Sequence, residues 1–282
     1  MAKTALLDGK VAVITGAGGA LGRAYALLLA SEGASIVVND YSVDAAAKTV
    51  DEIVTAGGKA VAMACDVGSV ENGEKICQAA LDAFGGVHIL VNNAGILRDK
   101  ALHNMDEGLW DAVLNVHLKG TYAVTKPIFS WMRANKQGGV VVNTTSTAAL
   151  FGNFGQTNYG AAKGGIWTFT KTLAVEGQRF GIRAWSIAPA AVSALTGVVG
   201  MDEQTQADLK PEYVAPAVLY MVSGLSGDKT GKCLFVGGQK IMELKLEAGG
   251  GIRGAGLSAQ QIADNEARIF RDSAELTFAD LS

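Results

Sequence analysis

Short apolar runs alternate along the chain with longer stretches of helical periodicity. The runs are rich in β-branched residues, which favour strands, and they predict seven strands, at residues 10–15, 35–40, 59–66, 88–95, 139–146, 182–189 and 232–238. The stretches between them predict helices at residues 20–32, 43–55, 70–84, 106–134, 159–180 and 211–223. Strands that are apolar on both faces and separated by helices are typical of a parallel sheet covered on both sides. We therefore predict an α/β protein with a doubly wound, seven-stranded parallel sheet.

The chain changes character after residue 240. Residues 248–256 are rich in glycine and predict a flexible linker. Ser258 and Gln261 then form a capping-box pattern that starts a helix. One face of this helix carries apolar residues, namely Ile262, Ala263, Ile269 and Phe270. We expect a catalytic domain at residues 1–240, followed by a C-terminal extension at residues 241–282 whose amphipathic helix docks on the body or on a partner subunit.

Composition and charge exclude several classes of protein. The 282 residues are 49% apolar and 18% charged, which suits a large packed core. The formal net charge is only -3, without blocks of like charge, so we expect neither nucleic acid nor a membrane as a partner. No apolar run reaches the ~18 residues that span a bilayer, and the first residues lack a signal-peptide pattern, so we expect a cytoplasmic protein. The three cysteines and three histidines lack metal-ligand spacing, and we predict no metal site.

Four glycines, at positions 16, 18, 19 and 22, lie between the first predicted strand and the first predicted helix. Such a turn lets the backbone approach a pyrophosphate, which the helix N-terminus binds with its N–H groups and partial positive charge. Asp40 ends the second predicted strand, at the distance from the glycines of an acid that binds an adenosine ribose. A carboxylate there repels a 2′-phosphate, and residues 17–19 and 41–43 contain no Lys or Arg to receive one. The pattern predicts a Rossmann-like fold that binds NAD in preference to NADP.

Tyr159 and Lys163 stand four residues apart in the segment NYGAAK, and positions four apart share one helix face. A lysine beside a phenol favours the phenolate and lowers its pKa, which suits a proton donor or acceptor working near neutral pH. The hexapeptide alone favours a packed tyrosine and a solvated lysine, because so short a pattern is common. Whether Tyr159 and Lys163 form a catalytic pair therefore depends on motifs elsewhere in the chain.

These segments together resemble the short-chain dehydrogenase/reductase family. TGAGGALG at residues 15–22 is similar to the family's TGxxxGxG, with Ala20 in place of a usual glycine, and NNAG at residues 92–95 is similar to its strand-four motif. We expect Ala20 to shift the loop slightly without loss of binding. The resemblance implies that NAD contacts the glycine turn, the ends of several strands and the YxxxK motif. These residues are Gly16, Gly18, Gly19, Ala20, Leu21, Gly22, Asp40, Asp66, Val67, Asn93, Ala94, Gly95, Tyr159, Lys163, Pro189 and Val192.

The resemblance also implies four catalytic residues, which are Asn115, Ser146, Tyr159 and Lys163. In that family the tyrosine is the general acid/base, and the lysine lowers its pKa and holds the nicotinamide ribose. The serine orients the substrate oxygen and stabilises charge that develops on it. Asn115 is expected to hold a water that relays protons from Lys163.

Five segments, at residues 92–100, 115–126, 152–163, 173–179 and 209–216, narrow the resemblance. They are similar to the dehydrogenase domain of type 2 peroxisomal multifunctional enzymes, also called type 4 17β-hydroxysteroid dehydrogenase. This resemblance implies NAD-dependent oxidation of (3R)-hydroxyacyl-CoA to 3-ketoacyl-CoA. The alternatives are a hydroxysteroid or a steroid side-chain hydroxyacyl-CoA as substrate, and 3-oxoacyl-carrier-protein reduction, which Asp40 disfavours because such reduction usually draws on NADPH. A non-catalytic dinucleotide sensor is the hypothesis from a different class.

The substrate loop and the subunit contacts follow from the same resemblance. The loop corresponds to residues 189–201, where Pro189 is followed by Ala190 instead of the usual glycine. Its small apolar residues suit an acyl chain or a steroid, whereas Arg98, Lys100 and Arg253 are candidates to meet coenzyme A phosphates. Family members associate through the two long helices, at residues 106–134 and 159–180, so we expect a homodimer or homotetramer.

Overall fold

Eight strands form one sheet in the part of the chain that the computed structural model describes, residues 5–192, 203–248 and 250–270. The strands are β1 (Val11–Thr15), β2 (Ser35–Asp40), β3 (Lys59–Ala64), β4 (Ile89–Asn92), β5 (Gly139–Thr144), β6 (Ile182–Pro189), β7 (Lys232–Gly237) and β8 (Lys240–Leu244). Their order in the sheet is β3-β2-β1-β4-β5-β6-β7-β8. The seven predicted strands are confirmed, and all of them run parallel.

Helices connect the parallel strands and cover both faces of the sheet. They are α1 (Ala20–Ser31), α2 (Val43–Thr55), α3 (Val70–Phe84), α4 (Glu107–Leu114), α5 (Gly120–Asn135), α6 (Ala148–Phe151), α7 (Thr157–Gly177), α8 (Glu203–Asp208), α9 (Ala215–Val222), α10 (Ala259–Ala263) and α11 (Glu266–Ile269). The long helix predicted over residues 106–134 consists of α4, a π-helical turn at Asn115–Lys119, and α5. The short helices α6 and α8 were not predicted.

The core divides into a layer on each face of the sheet because successive side chains of a strand point to opposite faces. In β1, Val11 and Val13 pack with the apolar sides of α3, α5 and α7, whereas Ala12 and Ile14 pack with those of α1, α2 and α9. All five residues of β1 are buried. This burial on both faces explains why the strands read as continuous apolar runs instead of alternating ones.

An antiparallel strand, β8, at the edge of the sheet was not predicted. Gly237 of β7 pairs with Lys240 of β8, so the two residues between them form a hairpin turn. Both turn residues, Gly238 and Gln239, have positive φ, of 53° and 61°. That conformation is the one a two-residue hairpin requires. Residues 241–244, which the sequence assigned to the C-terminal extension, therefore lie in the sheet.

The end of the described chain differs from the single helix that the sequence predicted. The capping box of Ser258 and Gln261 is confirmed, but α10 stops after five residues. The side chain of Asn265 donates to Gln261 O at 2.8 Å, and such a side-chain bond to the last turn competes with continued helix. Ile262 is 43% exposed and Phe270 is 65% exposed. The expected docking of this face on the body is therefore not observed for these two side chains.

The strand order places one crevice at the carboxyl edge of the sheet. β1 pairs with β2 on one side and with β4 on the other, so the chain leaves β1 and β4 in opposite directions. In an open α/β sheet, ligands bind at such a switch point. The glycine turn after β1, Asp40 at the end of β2 and the NNAG segment after β4 all lie at this edge.

Candidate active site

The turn between β1 and α1 is packed so tightly that three of its four glycines, Gly16, Gly18 and Gly22, have no room for side chains. A Cβ on Gly22 would lie 2.3 Å from Gly16 O, and a Cβ on Gly18 would lie 2.6 Å from Ala45 Cβ. Gly16 adopts a positive φ of 63°, which glycine permits without strain. Gly19 is the N-cap of α1, and no side chain accepts a hydrogen bond from the first turn of that helix. The first N–H groups of α1 are thus available to an anion. Those of Ala17, Gly18 and Gly19 already donate to protein acceptors.

Ala20 is the first residue of α1 and is exposed to solvent. Its methyl group therefore points away from the tight part of the turn. Leu21, which follows, packs partly against the core on the side of α1. The replacement of the usual glycine by alanine leaves the start of the helix intact.

Asp40 is held beside the glycine turn by two backbone groups. Gly18 N–H donates to its Oδ2 and Ser42 N–H donates to its Oδ1, each at 2.9 Å. The carboxylate is therefore fixed next to the backbone that approaches a pyrophosphate. This arrangement fits a dinucleotide whose adenosine ribose donates its hydroxyl groups to the acid.

Thr15 joins the ends of β1 and β4. Its Oγ1 accepts hydrogen bonds from the backbone N–H groups of Asn93, at 3.0 Å, and Ala94, at 3.1 Å. Asn93 Nδ2 donates in return to Thr15 O at 3.1 Å. A Cβ on Gly16 would lie 2.9 Å from Ala94 Cα, so the two loops touch backbone to backbone. The crevice at the switch point therefore has a rigid floor.

The other predicted cofactor contacts follow β3 and β6. Asp66 accepts from Gly68 N–H and from Asn72 Nδ2, each at 2.9 Å, and so shapes its own loop. Val67 is buried after β3. Pro189 ends β6, and Val192 N–H donates to a backbone carbonyl before α9, Leu209 O, at 2.7 Å. Most of the predicted substrate loop, from residue 193 to 201, lies outside the described residues.

Ser146, Tyr159 and Lys163 lie together at the end of β5, as predicted. Ser146 lies near enough to Tyr159 for its hydroxyl to lower the pKa of the phenol. Lys163 Nζ lies 5.5 Å from the centroid of the Tyr159 ring and donates to Thr144 O at 2.6 Å. Thr145 Oγ1 donates to Lys163 O at 2.8 Å, which ties α7 to the end of β5. Only 2% of the lysine is exposed, so a cation stands in the interior of the protein.

Burial controls the protonation of this pair. It lowers the pKa of Lys163 to about 7, because removal from water disfavours the charged ammonium. It raises the pKa of Tyr159, which the hydrogen bond from Ser146 partly offsets, while Asp99 adds a smaller increase. The prediction that Lys163 lowers the pKa of Tyr159 is therefore wrong for this structure. Lys163 donates its hydrogen bond to Thr144 O, and desolvation of the phenol is the largest influence on the pKa of Tyr159.

Asn158 positions Tyr159 and was missed in the sequence. It is fully buried beside the first turn of α7. Its Nδ2 donates to Arg98 O at 3.0 Å and to Leu109 O at 3.2 Å, and its Oδ1 accepts from Tyr159 N–H at 2.7 Å. The residue therefore fastens the tyrosine to the loop after β4. A buried asparagine directly before the YxxxK motif was the only signal that the sequence contained.

Asn115 and His117 occupy opposite sides of the π-helical turn. The Asn115 side chain lies against Gly68, where a Cβ would meet its Nδ2 at 2.3 Å, and it lines an outer surface cavity with Phe169. His117 instead meets the Tyr159 ring edge to face, with ring centroids 5.2 Å apart. The structure thus places His117, and not Asn115, against the tyrosine. His117 is not among the site residues that the sequence predicts.

The residues at the switch point fit a nicotinamide dinucleotide. The start of α1 offers backbone N–H groups, Asp40 offers an acceptor for a ribose, and Tyr159 and Lys163 stand where the reacting end of such a cofactor would lie. Among the described residues, no cluster of three or more His, Cys, Asp or Glu side chains could hold a metal ion. Within the same residues, no helix is long and apolar enough to cross a membrane.

Fold and site together define an oxidoreductase of the dinucleotide-binding α/β class. The family model described as short chain dehydrogenase matches residues 10–207. The chain belongs to that family.

Known proteins of similar sequence narrow the relationship. The chain is 43% identical to the peroxisomal multifunctional enzyme type 2 of Mus musculus over 88% of its own length and 34% of the mouse protein. It is 41% identical to a hydroxyacyl-CoA dehydrogenase of Mycobacterium tuberculosis, over 83% of this chain and 79% of that protein. The crystal structure of a short chain dehydrogenase from Mycobacterium avium matches with a TM-score of 0.84 and 38% identity, over 94% of this chain and 95% of that one.

The resemblance to type 2 peroxisomal multifunctional enzymes is confirmed, although these proteins are longer. The chain spans between 29% and 60% of the length of three peroxisomal relatives that it matches. What the relatives do as whole proteins is therefore a property of more chain than the matched part.

Proposed function

We propose that the protein oxidises a secondary alcohol of a lipid-like substrate with NAD, and that this substrate is a (3R)-hydroxyacyl-CoA, which becomes a 3-ketoacyl-CoA. The observation that carries the proposal is the grouping of Ser146, Tyr159 and the buried Lys163 at the edge of the sheet where the glycine turn lies. Such a group is what proton transfer to or from an alcohol oxygen needs.

The roles of the side chains follow from their positions. The Ser146 hydroxyl holds the substrate oxygen, and Tyr159 removes the hydroxyl proton as the carbon–oxygen double bond forms. The nicotinamide ring supplies the hydride acceptor when it is bound. Lys163 Nζ lies 5.5 Å from the centroid of the tyrosine ring, where it would hold the ribose next to the nicotinamide. Asn158 holds Tyr159 in place through the backbone.

The preference for NAD rests on Asp40. Its carboxylate is fixed by Gly18 and Ser42, so it cannot easily swing away from a 2′-phosphate. A charge that is held in this way repels the extra phosphate of NADP and accepts a hydrogen bond from the ribose of NAD.

The substrate class is supported by the named relatives. A protein named hydroxyacyl-CoA dehydrogenase is similar over 79% of its length. The mouse relative is named a peroxisomal multifunctional enzyme. The oxygen-binding pair of Ser146 and Tyr159 is compatible with any secondary alcohol, so the acyl-CoA part of the proposal depends on these relatives.

The test is the absorbance of reduced nicotinamide during turnover of a series of (3R)-hydroxyacyl-CoA chain lengths, with NAD and NADP offered separately. Turnover with NAD supports the proposal, and turnover of a 17β-hydroxysteroid alone would move the substrate to steroids. Asp40→Asn removes the charge but keeps the shape. We expect it to lower the NAD:NADP ratio of kcat/KM about 10-fold to 100-fold, the value of a charged hydrogen bond. Asp44→Asn, in the exposed first turn of α2, is the matched control.

Tyr159→Phe separates the proposed enzyme from a dinucleotide sensor. An enzyme loses at least ~100-fold in kcat, because general acid–base catalysis contributes about that much or more. Its dissociation constant for NAD, measured by fluorescence, stays near the wild-type value. A variant that keeps all measurable function would refute the catalytic assignment.

We also propose that two copies of the chain associate through the outer faces of α5 and α7. This surface carries two cavities, of about 720 and about 520 Å³. The first is lined by Leu118, Tyr122 and Phe169, and Val175, which is 75% exposed, lines the second. Apolar side chains of this kind at the surface favour a protein partner.

Size-exclusion chromatography with light scattering tests the association. We expect a dimer or tetramer for the wild type and smaller particles for Val175→Asp. Val54→Asp changes a similarly exposed valine on α2 and should leave the assembly intact. A monomeric wild type at micromolar concentration would overturn this part of the proposal.

A further inference from the structure

His117 is the one histidine that the fold buries against the proposed active site. It lies in the π-helical turn between α4 and α5, and 2% of it is exposed. Turns of this kind occur mostly as local insertions in helices, frequently at functional sites. The ring of His117 packs on Tyr159, and Gly95 makes room for it, since a Cβ there would lie 2.4 Å from His117 Cε1. Tyr159 thus has His117 on one side and Lys163 Nζ, at 5.5 Å, close to its ring.

The two nitrogens of His117 have different surroundings. Nε2 lies 2.7 Å from Ile96 O, and Ile96 N–H is directed at the same nitrogen from 3.1 Å. One tautomer cannot satisfy both contacts, because the carbonyl needs a proton on Nε2 and the N–H needs a lone pair there. The shorter contact assigns Nε2–H as a donor to the carbonyl, since the reverse tautomer would press two acceptors together at that distance. Nδ1 then carries a lone pair, and it is buried without a partner among the residues that the structure describes. An unpartnered buried acceptor is costly and demands an explanation.

We propose that His117 is a positioning residue for Tyr159 and Lys163, in which the neutral imidazole is anchored on Ile96 and its Nδ1 accepts a hydrogen bond from a water that Lys163 Nζ holds. This inference rests on the proposed dehydrogenase function. The water would give the ammonium a second acceptor besides Thr144 O and would hold it close to the phenol. His117 would thereby serve at the position in the site that the sequence had given to Asn115.

The charges around the ring agree with a neutral imidazole. Burial and, to a smaller extent, the charge of Lys163 lower the pKa of His117 to about 3, while the bond to Ile96 opposes this change. The titratable groups beside it are Lys163 and Tyr159 from α7, and Asp99 acts on Tyr159 from the loop after β4. His117 therefore remains an acceptor at Nδ1 throughout the pH range in which such enzymes are assayed.

Three substitutions separate the two nitrogens. Asparagine places an amide group at the distance of Nδ1 from the backbone, and glutamine places one at the distance of Nε2. Phenylalanine keeps the ring and removes both nitrogens. We expect His117→Gln and His117→Phe to lose about 100-fold in kcat, the scale of a small misplacement of catalytic groups. His117→Asn should retain at least a tenth of the wild-type kcat, with KM for the acyl-CoA little changed in all three.

The pH profile distinguishes positioning from folding. If His117 acts through Lys163 and Tyr159, the pH at half-maximal kcat shifts in the Gln and Phe variants and returns towards the wild-type value in the Asn variant. A merely structural role lowers the rate without moving the profile. Equal activity of all variants, or rescue by Gln in place of Asn, would overturn the proposal.

A nuclear magnetic resonance experiment tests the same idea without turnover. The chain has three histidines, so ¹⁵N-histidine spectra are simple, and His88→Asn and His103→Gln assign them. We expect His117 to be the Nε2–H tautomer, with an Nδ1 signal that moves when Lys163→Met removes the ammonium that holds the water. An Nδ1–H tautomer, or a signal unaffected by Lys163→Met, would refute the inference. A wild type that turns over none of the alcohols would refute the proposed function instead.

Discussion

Replacement of Lys163 by methionine should stabilise the protein while it abolishes activity. Methionine is similar in length and apolar, so it fills the space of the lysine without a charge. The wild-type protein keeps a cation in a site where only 2% of the residue reaches solvent. Among the described residues, its Nζ donates to one acceptor, Thr144 O. The cost of burying this cation is therefore removed by the substitution.

The size of the effect follows from the pKa of the lysine. That pKa falls from an ordinary 10.5 to about 7. At pH 7 the unfolded chain binds this proton more tightly than the folded protein does. At about 1.4 kcal/mol for each pKa unit, this difference destabilises the folded wild type by about 4 kcal/mol. The substitution removes this destabilisation, but loss of the hydrogen bond to Thr144 O reduces the gain in stability by about 1 to 3 kcal/mol. We expect Lys163→Met to raise the free energy of unfolding by about 2 kcal/mol at pH 7.

The pH dependence has a definite sign. A base whose pKa is lower in the folded state binds its proton more tightly when unfolded, so the wild type becomes more stable as the pH rises above about 7. The variant lacks this gain. The stability difference should therefore narrow by about 2 kcal/mol between pH 7 and pH 9.

Urea denaturation followed by tryptophan fluorescence measures both quantities, with free energies obtained by linear extrapolation. Lys171→Met makes the same change at an exposed position of α7. It should alter the free energy of unfolding by less than about 0.5 kcal/mol. A Lys163→Met protein that is no more stable than wild type, with the same pH dependence, would refute the reasoning. It would mean that the buried lysine is compensated by contacts that the argument omits.

Three other substitutions or conditions test the site and the fold. Gly22→Ala places a Cβ 2.3 Å from Gly16 O and should destabilise the fold by about 1 to 3 kcal/mol. Gly19→Ala is the control, because a Cβ there meets nothing closer than 3.5 Å. Thermal melts of the two variants should therefore differ clearly. His88 Nδ1 accepts from Val11 N–H, and burial lowers the pKa of His88, so the protein should lose stability as the pH falls below about 6.5; denaturation curves of His88→Asn should show a smaller loss. The rate of alcohol oxidation should rise above neutral pH, because burial raises the pKa of Tyr159 and the base must be deprotonated; a flat profile from pH 6 to 10 would contradict this.

The sheet and the glycine turn were readable from the sequence because each depends on local features. β1 is apolar on both faces, and that composition alone marks a central parallel strand. The glycines at 16, 18 and 22 indicate a turn with no space for side chains. Asp40 ends the next strand, and the number of residues between the turn and that strand fixes its position. Positions that are fixed within one strand–turn–helix unit need no knowledge of the rest of the fold.

The features that the sequence did not predict arise from contacts between distant segments. β8 needed recognition of a two-residue turn at Gly238 and Gln239, a signal that was present but was interpreted as the end of the last strand. The π-helical turn has no such signal, and it decides whether Asn115 or His117 faces Tyr159. Spacing along an ideal helix cannot settle this choice, because the turn changes the direction of every side chain in it.

The protonation of the catalytic pair was also beyond the sequence. The pattern YxxxK brings a lysine near a tyrosine, but the depth of both groups determines which influence on their pKa values prevails. Here desolvation prevails, since the packing of α7 against β5 takes Lys163 almost completely out of water. Only the assembled fold determines that depth.

Energetically unfavourable polar groups collect around this lysine. Lys163 itself is buried, and its ammonium donates to the carbonyl of Thr144. Within the described part of the chain, neither His117 Nδ1 nor the buried Oγ1 of Thr144 has a hydrogen-bond partner. Val142, two residues before Thr144 on β5, is fully buried. The fold therefore tolerates an apolar side chain at this depth. Folding alone therefore gives no reason to keep these groups, each of which costs about 1 to 3 kcal/mol when unpaired. Unfavourable groups that cluster at one place are expected at a functional site, where catalysis requires them at a cost in stability. Lys163→Met tests this interpretation most directly, because the variant should gain stability and lose activity.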